Sequence, residues 1–477
     1  MSWRWRTLGV AVAVGGGLLG GCRTGARPAE APISPPDHFS VPGEAALPAH
    51  WWTSFDDPGL GQAIELALRE NFDLRSAWDR LEQARAIARS EGADLWPTVD
   101  GSGAGGRTYS RTDGEGTYAN DFSLGLRMDY ELDLWGRLRS ARDASVLDAE
   151  ASEQDLRTAA ITLSATVATT WYRLGEQLEQ IALIEQQLET NRQVLELLTH
   201  QFRQGQTQAA DVLRQRQLVE QSEGQLTLAE GVAEVTRHQL NVLLGRPPLE
   251  DLGLPEPRLV DAGALPSTGL PSELLQRRPD LISAQRAVEA ADRRLASAIA
   301  DQYPRVSISA SVQTGGAQTR DLFDDWIANL AGNLTQPLID GGRRRAEVDR
   351  NKAVVSEAIN AYGAAVLTAL QEVEDALSQE FSQRRYVDSL NQQLRTVAQV
   401  YDRTRDSYLN GQLDYIRVLE ALVSQQSLQR DVLTARRELL EARVELCRAL
   451  AGPWELEAPV AQTLDTFSGG VQRLPSE

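Results

Sequence analysis

A strict alternation of apolar and polar residues runs through residues 122–133, FSLGLRMDYELD. Successive side chains of a β-strand point to opposite faces of the sheet, so a period of two predicts a strand with one apolar face and one wet face. The apolar positions are Phe122, Leu124, Leu126, Met128, Tyr130 and Leu132. A strand of this kind belongs in a sheet whose two sides meet different surroundings.

Three further segments carry the same signal with decreasing strength. Residues 306–313 alternate with serine on the polar side, residues 326–334 alternate more weakly, and residues 98–110 form the poorest strand. The polar, glycine-containing stretches 107–120 and 314–325 are predicted to be the hairpin loops between them. The pattern predicts four strands. A small antiparallel sheet covered by a helix is an alternative interpretation of the same four segments.

Four strands are too few to close on themselves in a membrane. Transmembrane barrels start at eight strands, and lipid does not tolerate an open sheet edge. Three chains would supply twelve strands, each about as long as the ~9–11 residues that cross a bilayer. The sequence therefore predicts a barrel shared by three chains.

Proline placement predicts very long helices. No proline occurs between Pro97 and Pro247, or between Pro337 and Pro453. Apolar residues recur at seven-residue intervals inside both gaps, which indicates supercoiled helix packing. These positions are Leu174, Ile181, Leu188, Leu195 and Phe202, then Val212, Val219, Leu226, Ala233 and Leu240, and in the second gap Val387, Leu394, Tyr401 and Tyr408, then Val418, Val432, Leu439 and Leu446, with Gln425 interrupting.

The predicted helices are too long for a compact molecule. Residues 137–203, if continuous, reach roughly 100 Å at 1.5 Å per residue. A compact sphere of this chain length has a radius of gyration of only about 23 Å. The helix must project, and residues 58–93 stacked end to end on residues 207–244 would match it in length as a neighbour. The expected shape is a tall helical tube that continues a short β-barrel.

The chain is an internal duplication. Each heptad position of the second gap lies 206 residues after its counterpart in the first, and Gly411 lies 206 residues after Gly205. Trp96-Pro97 and Tyr303-Pro304 keep the same spacing within one residue. A fixed offset of this kind marks a structural repeat. Each copy is predicted to run helix, strand, strand, long helix, tight turn, helix.

The predicted domain boundaries follow from the repeat and from the composition of the ends. They are a lipoprotein signal peptide (1–21), an acylated N-terminal extension (22–55), a first repeat (56–245), an inter-repeat linker in the equatorial region (246–271), a second repeat (272–452) and a C-terminal tail (453–477).

The N-terminus has the order of an export signal. Two arginines precede the apolar stretch 8–19, which is too short for a permanent membrane anchor, and Gly20-Gly21-Cys22 follows. This run resembles a bacterial lipobox, which implies acylation of Cys22, and Arg23 in place of aspartate implies the outer membrane by resemblance to bacterial lipoproteins. An ordinary signal with an incidental cysteine is the alternative. With Cys22 acylated, Cys447 would be the only remaining thiol.

Composition excludes several classes of function. The formal net charge of -19 and a single lysine, Lys352, argue against nucleic-acid binding and against a phosphate-binding loop for nucleotide hydrolysis. The four histidines and two cysteines lie far apart, without the spacing of a metal site. No catalytic constellation is visible. We expect no enzyme activity, no metal and no cofactor other than a covalent lipid on Cys22.

Taken in order, the motifs resemble a TolC-like outer-membrane factor, and more closely the lipoprotein branch that serves resistance-nodulation-division (RND) pumps. The resemblance covers residues 50–455. The motifs are Phe202-Arg203-Gln204-Gly205 through Asp211-Val212-Leu213, Tyr408-Leu409-Asn410-Gly411 through Val418-Leu419-Glu420-Ala421, Leu132-Asp133-Leu134-Trp135-Gly136-Arg137, and Asp340-Gly341-Gly342-Arg343.

The resemblance implies a mainly α-helical, mixed fold. Duplicated long helices would form a coiled-coil α-barrel continuous with a 12-stranded transmembrane β-barrel, with four strands from each chain of a homotrimer and a mixed equatorial region. It implies an outer-membrane channel, anchored in outer-membrane lipid and projecting into the periplasm. The channel would passively conduct drugs and small molecules from an RND-type inner-membrane transporter through a periplasmic adaptor.

The resemblance also implies where the adaptor docks. Docking is expected on the two helical tips, at Gln204, Gly205 and Gln206 and at Asn410, Gly411 and Gln412. Glycine permits the tight reversal and a close backbone approach. The alternative is that these glycines only make turns.

A periplasmic gate is implied just beyond the tips. The matching positions are Asp211, Tyr408 and Glu420, where a Tyr408 hydroxyl to Asp211 carboxylate bond would hold the shut state. Arg417 stands where some relatives carry a second acid, so an Arg417–Glu420 pair replaces a double acidic ring. Solvated charges beside a turn are the alternative interpretation of these residues.

Two rival functions remain compatible with the sequence. One is a conduit of the same architecture used for type I protein secretion. The other is a non-pore structural lipoprotein, a periplasmic coiled-coil spacer, which explains the heptads but leaves the amphipathic strands without a purpose.

Overall fold

The structure, a computed structural model, describes residues 32–45, 47–251, 253–450, 452, 454 and 456. Cys22 therefore lies outside the described residues. The elements in chain order are α1 (Pro58–Glu70), α2 (Phe72–Ala93), β1 (Thr98–Thr112), β2 (Glu115–Leu132), α3 (Arg137–Arg203), α4 (Ala209–Leu243), α5 (Pro271–Arg277), α6 (Pro279–Ala300), β3 (Arg305–Gly316), β4 (Trp326–Thr335), α7 (Arg343–Leu409) and α8 (Tyr415–Leu450).

The helices confirm the predicted duplication. α3 and α7 have 67 residues each, start 206 residues apart and end 206 residues apart. At 1.5 Å per residue, each is roughly 100 Å long. α4 and α8 also begin 206 residues apart. The two halves thus have the same order of elements.

α2 and α4 lie end to end beside α3, as expected, but the predicted 58–93 segment is broken at Asn71. The Asn71 side chain accepts a hydrogen bond from the backbone N–H of Leu74 at 3.0 Å and so caps α2. Its amide also donates to the backbone carbonyl of Leu243 at the end of α4, at 2.9 Å. One buried side chain therefore joins the two helices and separates α1 from them.

The four strands form one antiparallel sheet in the order β1-β2-β3-β4. The register places Leu126 between Gly101 of β1 and Val312 of β3, so apolar residues share one face. That face is open: 60% of Leu126 and 78% of Leu330 are exposed. No helix of the described chain covers the sheet, so the alternative of a helix-covered sheet is wrong.

The predicted loop at 107–120 is wrong, because strands β1 and β2 continue through it. The reversal takes only two residues, Asp113 and Gly114, with φ values of 50° and 92°. Positive φ at both central positions is typical of the tight type I′ hairpin turn, for which Asp-Gly is a strong signal. Polar residues and glycines interrupt the alternation here, so the period of two conceals these strand ends.

The second predicted loop is largely confirmed. β3 extends to Gly316, and residues 317–325 connect it to β4 through a short helical turn, Thr319–Asp321. The first hairpin is therefore longer than the second, since β1 and β2 have 15 and 18 residues and β3 and β4 have 12 and 10.

The apolar core lies midway along the long helices. A helical turn at Trp51–Phe55 packs with α1 against α3 and α8, and the Trp171 indole donates to the Asp57 carboxylate at 2.9 Å. Residues 32–45 run along the second repeat, where Phe39 is buried against α7. This core ties the N-terminal segment and the linker to the helices.

Candidate functional site

Both helical tips reverse through the same hydrogen-bond pattern. The N–H of Gln206 donates to the carbonyl of Gln201 at 2.9 Å, and the N–H of Gly205 donates to that of Phe202 at 2.9 Å. The second tip repeats both bonds one duplication later, from Gln412 and Gly411. Such a Schellman motif places its glycine in the left-handed region. The reversal predicted at both glycines is confirmed.

Glycine is required at the tips by backbone conformation. The φ values of Gly205 and Gly411 are 71° and 72°. A Cβ at either position would meet no described atom within 4 Å, so space is not the constraint. All six predicted docking residues are exposed: Gln204, Gly205, Gln206, Asn410, Gly411 and Gln412.

The two tips pack on each other through a small apolar cluster. Its buried members come from both repeats and are Leu198, Val212, Tyr415 and Val418. The rings of Tyr408 and Tyr415 lie 5.6 Å apart, edge to face. Burial raises the pKa of the Tyr415 hydroxyl, aided by the neighbouring Tyr401 and Tyr408, so Tyr415 stays protonated.

Within the chain, the expected bond between Tyr408 and Asp211 is absent. The Tyr408 hydroxyl donates instead to the side-chain oxygen of Gln201 on α3, at 3.0 Å. Asp211 accepts from the Thr207 hydroxyl at 3.0 Å and pairs with Arg214 at 3.3 Å, both local to the start of α4. Tyr408 still joins the two tips, but through an amide and not a carboxylate.

The expected pair between Arg417 and Glu420 is present. Their closest nitrogen and oxygen atoms lie 3.1 Å apart, one helical turn from each other on α8. Both side chains are more than half exposed, at 66% and 58%. Four polar gate candidates thus lie within one or two turns of the tips.

Sequence reasoning missed a chain of buried polar contacts between the repeats. α3 meets α8 along a surface that we call the inter-repeat seam. Near the tips, the Gln426 amide donates to the Asn191 side chain at 2.9 Å. Asn191 also donates to Ser222 of α4, within its own repeat, at 3.1 Å. Gln187 donates to the Gln426 carbonyl at 3.2 Å.

Farther from the tips the seam becomes ionic. The Gln180 amide donates to the carbonyl of Arg430 at 3.0 Å, and Glu176 pairs with Arg437 at 2.9 Å. Buried polar contacts in helix bundles set register at a cost in stability. The signal was a second stripe at 176, 180, 187 and 191, beside the apolar heptads.

The sheet joins the long helices through a repeated carboxylate motif. Asp133 accepts from the backbone N–H groups of Leu138 and Arg139 at 3.1 and 3.0 Å, which caps α3. Asp340 plays the same part for α7 and accepts from Gly342 and Arg344 at 3.0 and 3.3 Å. The two matched sequence motifs are therefore the joints between strand and helix.

The polar face of the sheet is lined by small hydroxyl-bearing side chains and by charged side chains. Asn333 donates to Ser309 across β3 and β4 at 3.3 Å, and Arg127 pairs with Asp129 at 2.6 Å along β2. Across the described chain, no group of three or more His, Cys, Asp or Glu residues is placed to hold a metal ion. The described chain thus presents a sheet with one polar face at one end and two exposed helical tips at the other.

The comparisons with known proteins agree with this geometry. A family model described as "Outer membrane efflux protein" matches residues 63–246 and 270–452. The pyoverdine export outer membrane protein OpmQ of Pseudomonas aeruginosa is 31% identical over 453 residues, which cover 92% of this chain and 95% of that protein.

Two solved structures have the same fold over nearly their whole length. A CusC structure, from work on folding and transmembrane channel formation, has a TM-score of 0.82 and 25% identity and covers 89% of this chain and 98% of that one. The open state of the Neisseria gonorrhoeae MtrE outer membrane channel has a TM-score of 0.80 and 26% identity, with 89% and 96% coverage.

Proposed function

The chain belongs to the outer membrane efflux protein family, and from this premise we infer that three copies enclose one continuous channel. It is the outer-membrane component of an efflux system. Each copy would contribute four strands to a 12-stranded barrel and four long helices to the tube below it. We propose a passive path, without catalysis or cofactor, for drugs and other small molecules.

One observation supports this proposal above all others. The sheet has two open edges and one exposed apolar face, and it continues directly into helices roughly 100 Å long. Lipid would cover the apolar face, and neighbouring copies would close the edges. A non-pore spacer would leave both features unexplained. Type I protein secretion would use the same architecture, and OpmQ's role in pyoverdine export favours efflux.

We further propose the partners that supply the driving force. A periplasmic adaptor would dock on the six exposed tip residues and connect the channel to an RND-type inner-membrane transporter. The paired tips offer the adaptor an exposed polar surface with a fixed backbone, since the Schellman bonds join main-chain atoms. The side chains of Gln204 and Asn410 also bond within their own helices, to His200 and to the Asp406 carbonyl.

The gate proposal uses the contacts seen at the tips. Tyr408 would hold α7 to α3 through Gln201, while Asp211 orders the first turn of α4 through Thr207 and Arg214. Arg417 and Glu420 would set the charge at the entrance. Loosening the tips would then favour the open channel.

The purified protein in a planar bilayer tests the channel and its gate together. We expect step-like ion conductance from the unaltered chain, and more frequent opening from Tyr408→Phe and Asp211→Ala. One hydrogen bond of about 1 kcal/mol in each of three copies shifts the closed-to-open ratio roughly a hundredfold. Tyr401→Phe is the matched control, because its hydroxyl makes no hydrogen bond in the described chain.

Two results would count against these proposals. If a folded, extracted trimer shows no conductance, the proposal of a channel is wrong. If Tyr408→Phe leaves the opening frequency as unchanged as Tyr401→Phe does, Tyr408 is not part of the gate.

The lipid anchor is a separate proposal, supported by chain length. Pro32 lies beside α7, 2.9 Å from where a Cβ on Gly363 would be. Gly363 is 20 residues, or about 30 Å, along α7 from the end of the helix that adjoins the sheet. The ten residues from Cys22 to Pro32 can span at most about 36 Å, so an acyl chain on Cys22 can reach the bilayer surface.

Labelling with palmitate tests the anchor. We expect Cys22→Ser to lose the label and to keep forming trimers, because the barrel supplies much of the insertion energy. Cys447→Ser should keep the label, since Cys447 is fully buried and burial raises the pKa of its thiol to about 12. A label that persists in Cys22→Ser would place the modification elsewhere.

A further inference from the structure

Helix α4 carries two glycines that no contact with the other described residues explains. Gly224 and Gly231 are exposed, one heptad apart, with the exposed Leu228 between them. Glycine inside a helix costs about 1 kcal/mol relative to alanine. A Cβ at either position would meet nothing within 4 Å in the described chain, so neither is needed for intrachain packing. We call these three residues the glycine stripe.

The corresponding residues of the second repeat lie in a helix contact. The residues 206 positions later on α8 are Arg430, Thr434 and Arg437. They face α3 across the inter-repeat seam, where Gln180 donates to the Arg430 carbonyl at 3.0 Å and the Thr434 hydroxyl donates to Glu176 at 2.7 Å. This face is covered on α8 and bare on α4.

The matching face of α7 is bare as well. The counterparts of Glu176 and Gln180 are Ser382 and Tyr386. Gln180 is 8% exposed in the seam, whereas Tyr386 is 50% exposed. Side by side, the helices lie in the order α4, α3, α8, α7, so the two bare faces are the two flanks of the chain.

We propose that the glycine stripe of one copy receives α7 of the next copy, with the Tyr386 ring seated over Gly224. This inference rests on the proposed three-chain channel and names its contacts. In the inter-repeat seam, Gln180 donates to the main-chain carbonyl of Arg430, whose long side chain donates to Gln187 at 2.7 Å. In the proposed interchain seam the large side chain is on α7 instead, so the Tyr386 ring would meet a residue without a side chain. Such a head-to-tail contact closes into a ring when the rotation allows it.

A reversed ion pair gives independent support. In the inter-repeat seam, Glu179 of α3 faces Arg436 of α8 at 3.8 Å. The corresponding residues of the bare faces are Arg385 on α7 and Glu230 on α4, which have the opposite signs. Neither makes an ion pair with another described residue. Across the proposed interchain seam these two charges complement each other.

The reversal also discriminates between the two seams. If α4 took the place of α8 beside α3, Glu230 would face Glu179, and if α8 took the place of α4 beside α7, Arg436 would face Arg385. Like charges would meet in both cases, and this disfavours the wrong pairing. A duplicated chain needs such a device, because its two halves would otherwise pair indiscriminately.

Cysteine cross-linking of the full chain in detergent tests the contact. The variant Gly224→Cys with Tyr386→Cys, in a Cys447→Ala background, is treated with a short bis-maleimide. We expect covalent dimers and trimers on a denaturing gel, because an intrachain link would migrate as a monomer. Each single-cysteine variant gives the background, and Gly224→Cys with Asp388→Cys places the second thiol on another side of α7.

A size exchange makes the test independent of cross-linking. On a free helix surface, Gly224→Leu should raise the temperature at which the trimer dissociates, since leucine favours helix more than glycine does. Seated against Tyr386, the same change should lower that temperature, and adding Tyr386→Ala should restore it. Glu230→Arg should act in the same direction, with rescue by Arg385→Glu.

The outcomes separate this inference from the function it rests on. A stable, conducting trimer that shows no cross-link between positions 224 and 386 and is stabilised by Gly224→Leu would overturn the seam and leave the channel intact. Chains that remain monomeric and non-conducting before any substitution would overturn the three-chain channel itself.

Discussion

Leu126→Arg is expected to abolish assembly of the channel in the membrane. Leu126 lies near the middle of the apolar face, in register with Gly101 and Val312 and 60% exposed in the single chain. An arginine on the lipid face of a barrel costs about 2–4 kcal/mol near the bilayer midplane. Three copies raise this to roughly 6–12 kcal/mol per trimer, comparable to the whole stability of a domain.

The control is a substitution of the same kind on the other face. Ser309 lies on the polar side of β3, opposite Asp129 of β2. Ser309→Arg should therefore insert normally, with a nearby carboxylate as partner. Membrane fractionation and gel mobility without heating would report assembly in both variants. If the two arginines had equal effects, the assignment of the lipid-facing side would be wrong.

Glu380→Ala is expected to cause the largest loss of stability in the helical part. Glu380 and Arg443 are 1% and 4% exposed, and the Arg443 Nε donates to the Glu380 carboxylate at 2.8 Å. Removing one partner of a buried ion pair typically costs about 3–5 kcal/mol, because the remaining charge stays buried. Arg443 also donates to the linker carbonyl of Ala264 at 2.8 Å, so the linker should loosen too.

Thermal unfolding followed by circular dichroism would measure this loss. Glu347→Ala is the matched control, since Glu347 pairs with Arg350 on the surface of the same helix and its loss should leave the transition nearly unchanged. The double variant Glu380→Leu with Arg443→Met should recover most of the stability, because it leaves no unpaired charge. If Glu380→Ala and Glu347→Ala unfold at the same temperature, the Glu380–Arg443 pair does not stabilise the protein.

Much of the fold could be predicted because the pattern of each element occurs twice in the sequence, once in each repeat. The bounds 137–203 follow from the absence of proline and the heptads, and the same offset then places α7. The prediction of a loop at 107–120 was wrong for a physical reason. Alternating hydrophobicity marks only the part of β2 with an apolar face, while the polar ends of β1 and β2, joined by Asp113-Gly114, continue as strand without that signal.

The candidate site was harder to predict than the fold. The Schellman glycines could be located because their φ requirement leaves a residue-type signature. The partner of Tyr408 was missed, since an uncharged amide such as Gln201 gives no signal of its own in a helix. The Glu380–Arg443 pair joins residues 63 positions apart on neighbouring helices, and only the fold brings them together.

The two-residue turn of the first hairpin has a consequence at the cell surface. β2 has 18 residues, well beyond the ~9–11 that cross a bilayer, whereas β4 has 10. In the proposed trimer, three β1–β2 hairpins would project from the outer rim, each ending at Asp113 and Gly114, with the shorter β3–β4 hairpins between them. An antibody or phage approaching from outside would meet these three projecting hairpins first, repeated at about 120° by the threefold symmetry.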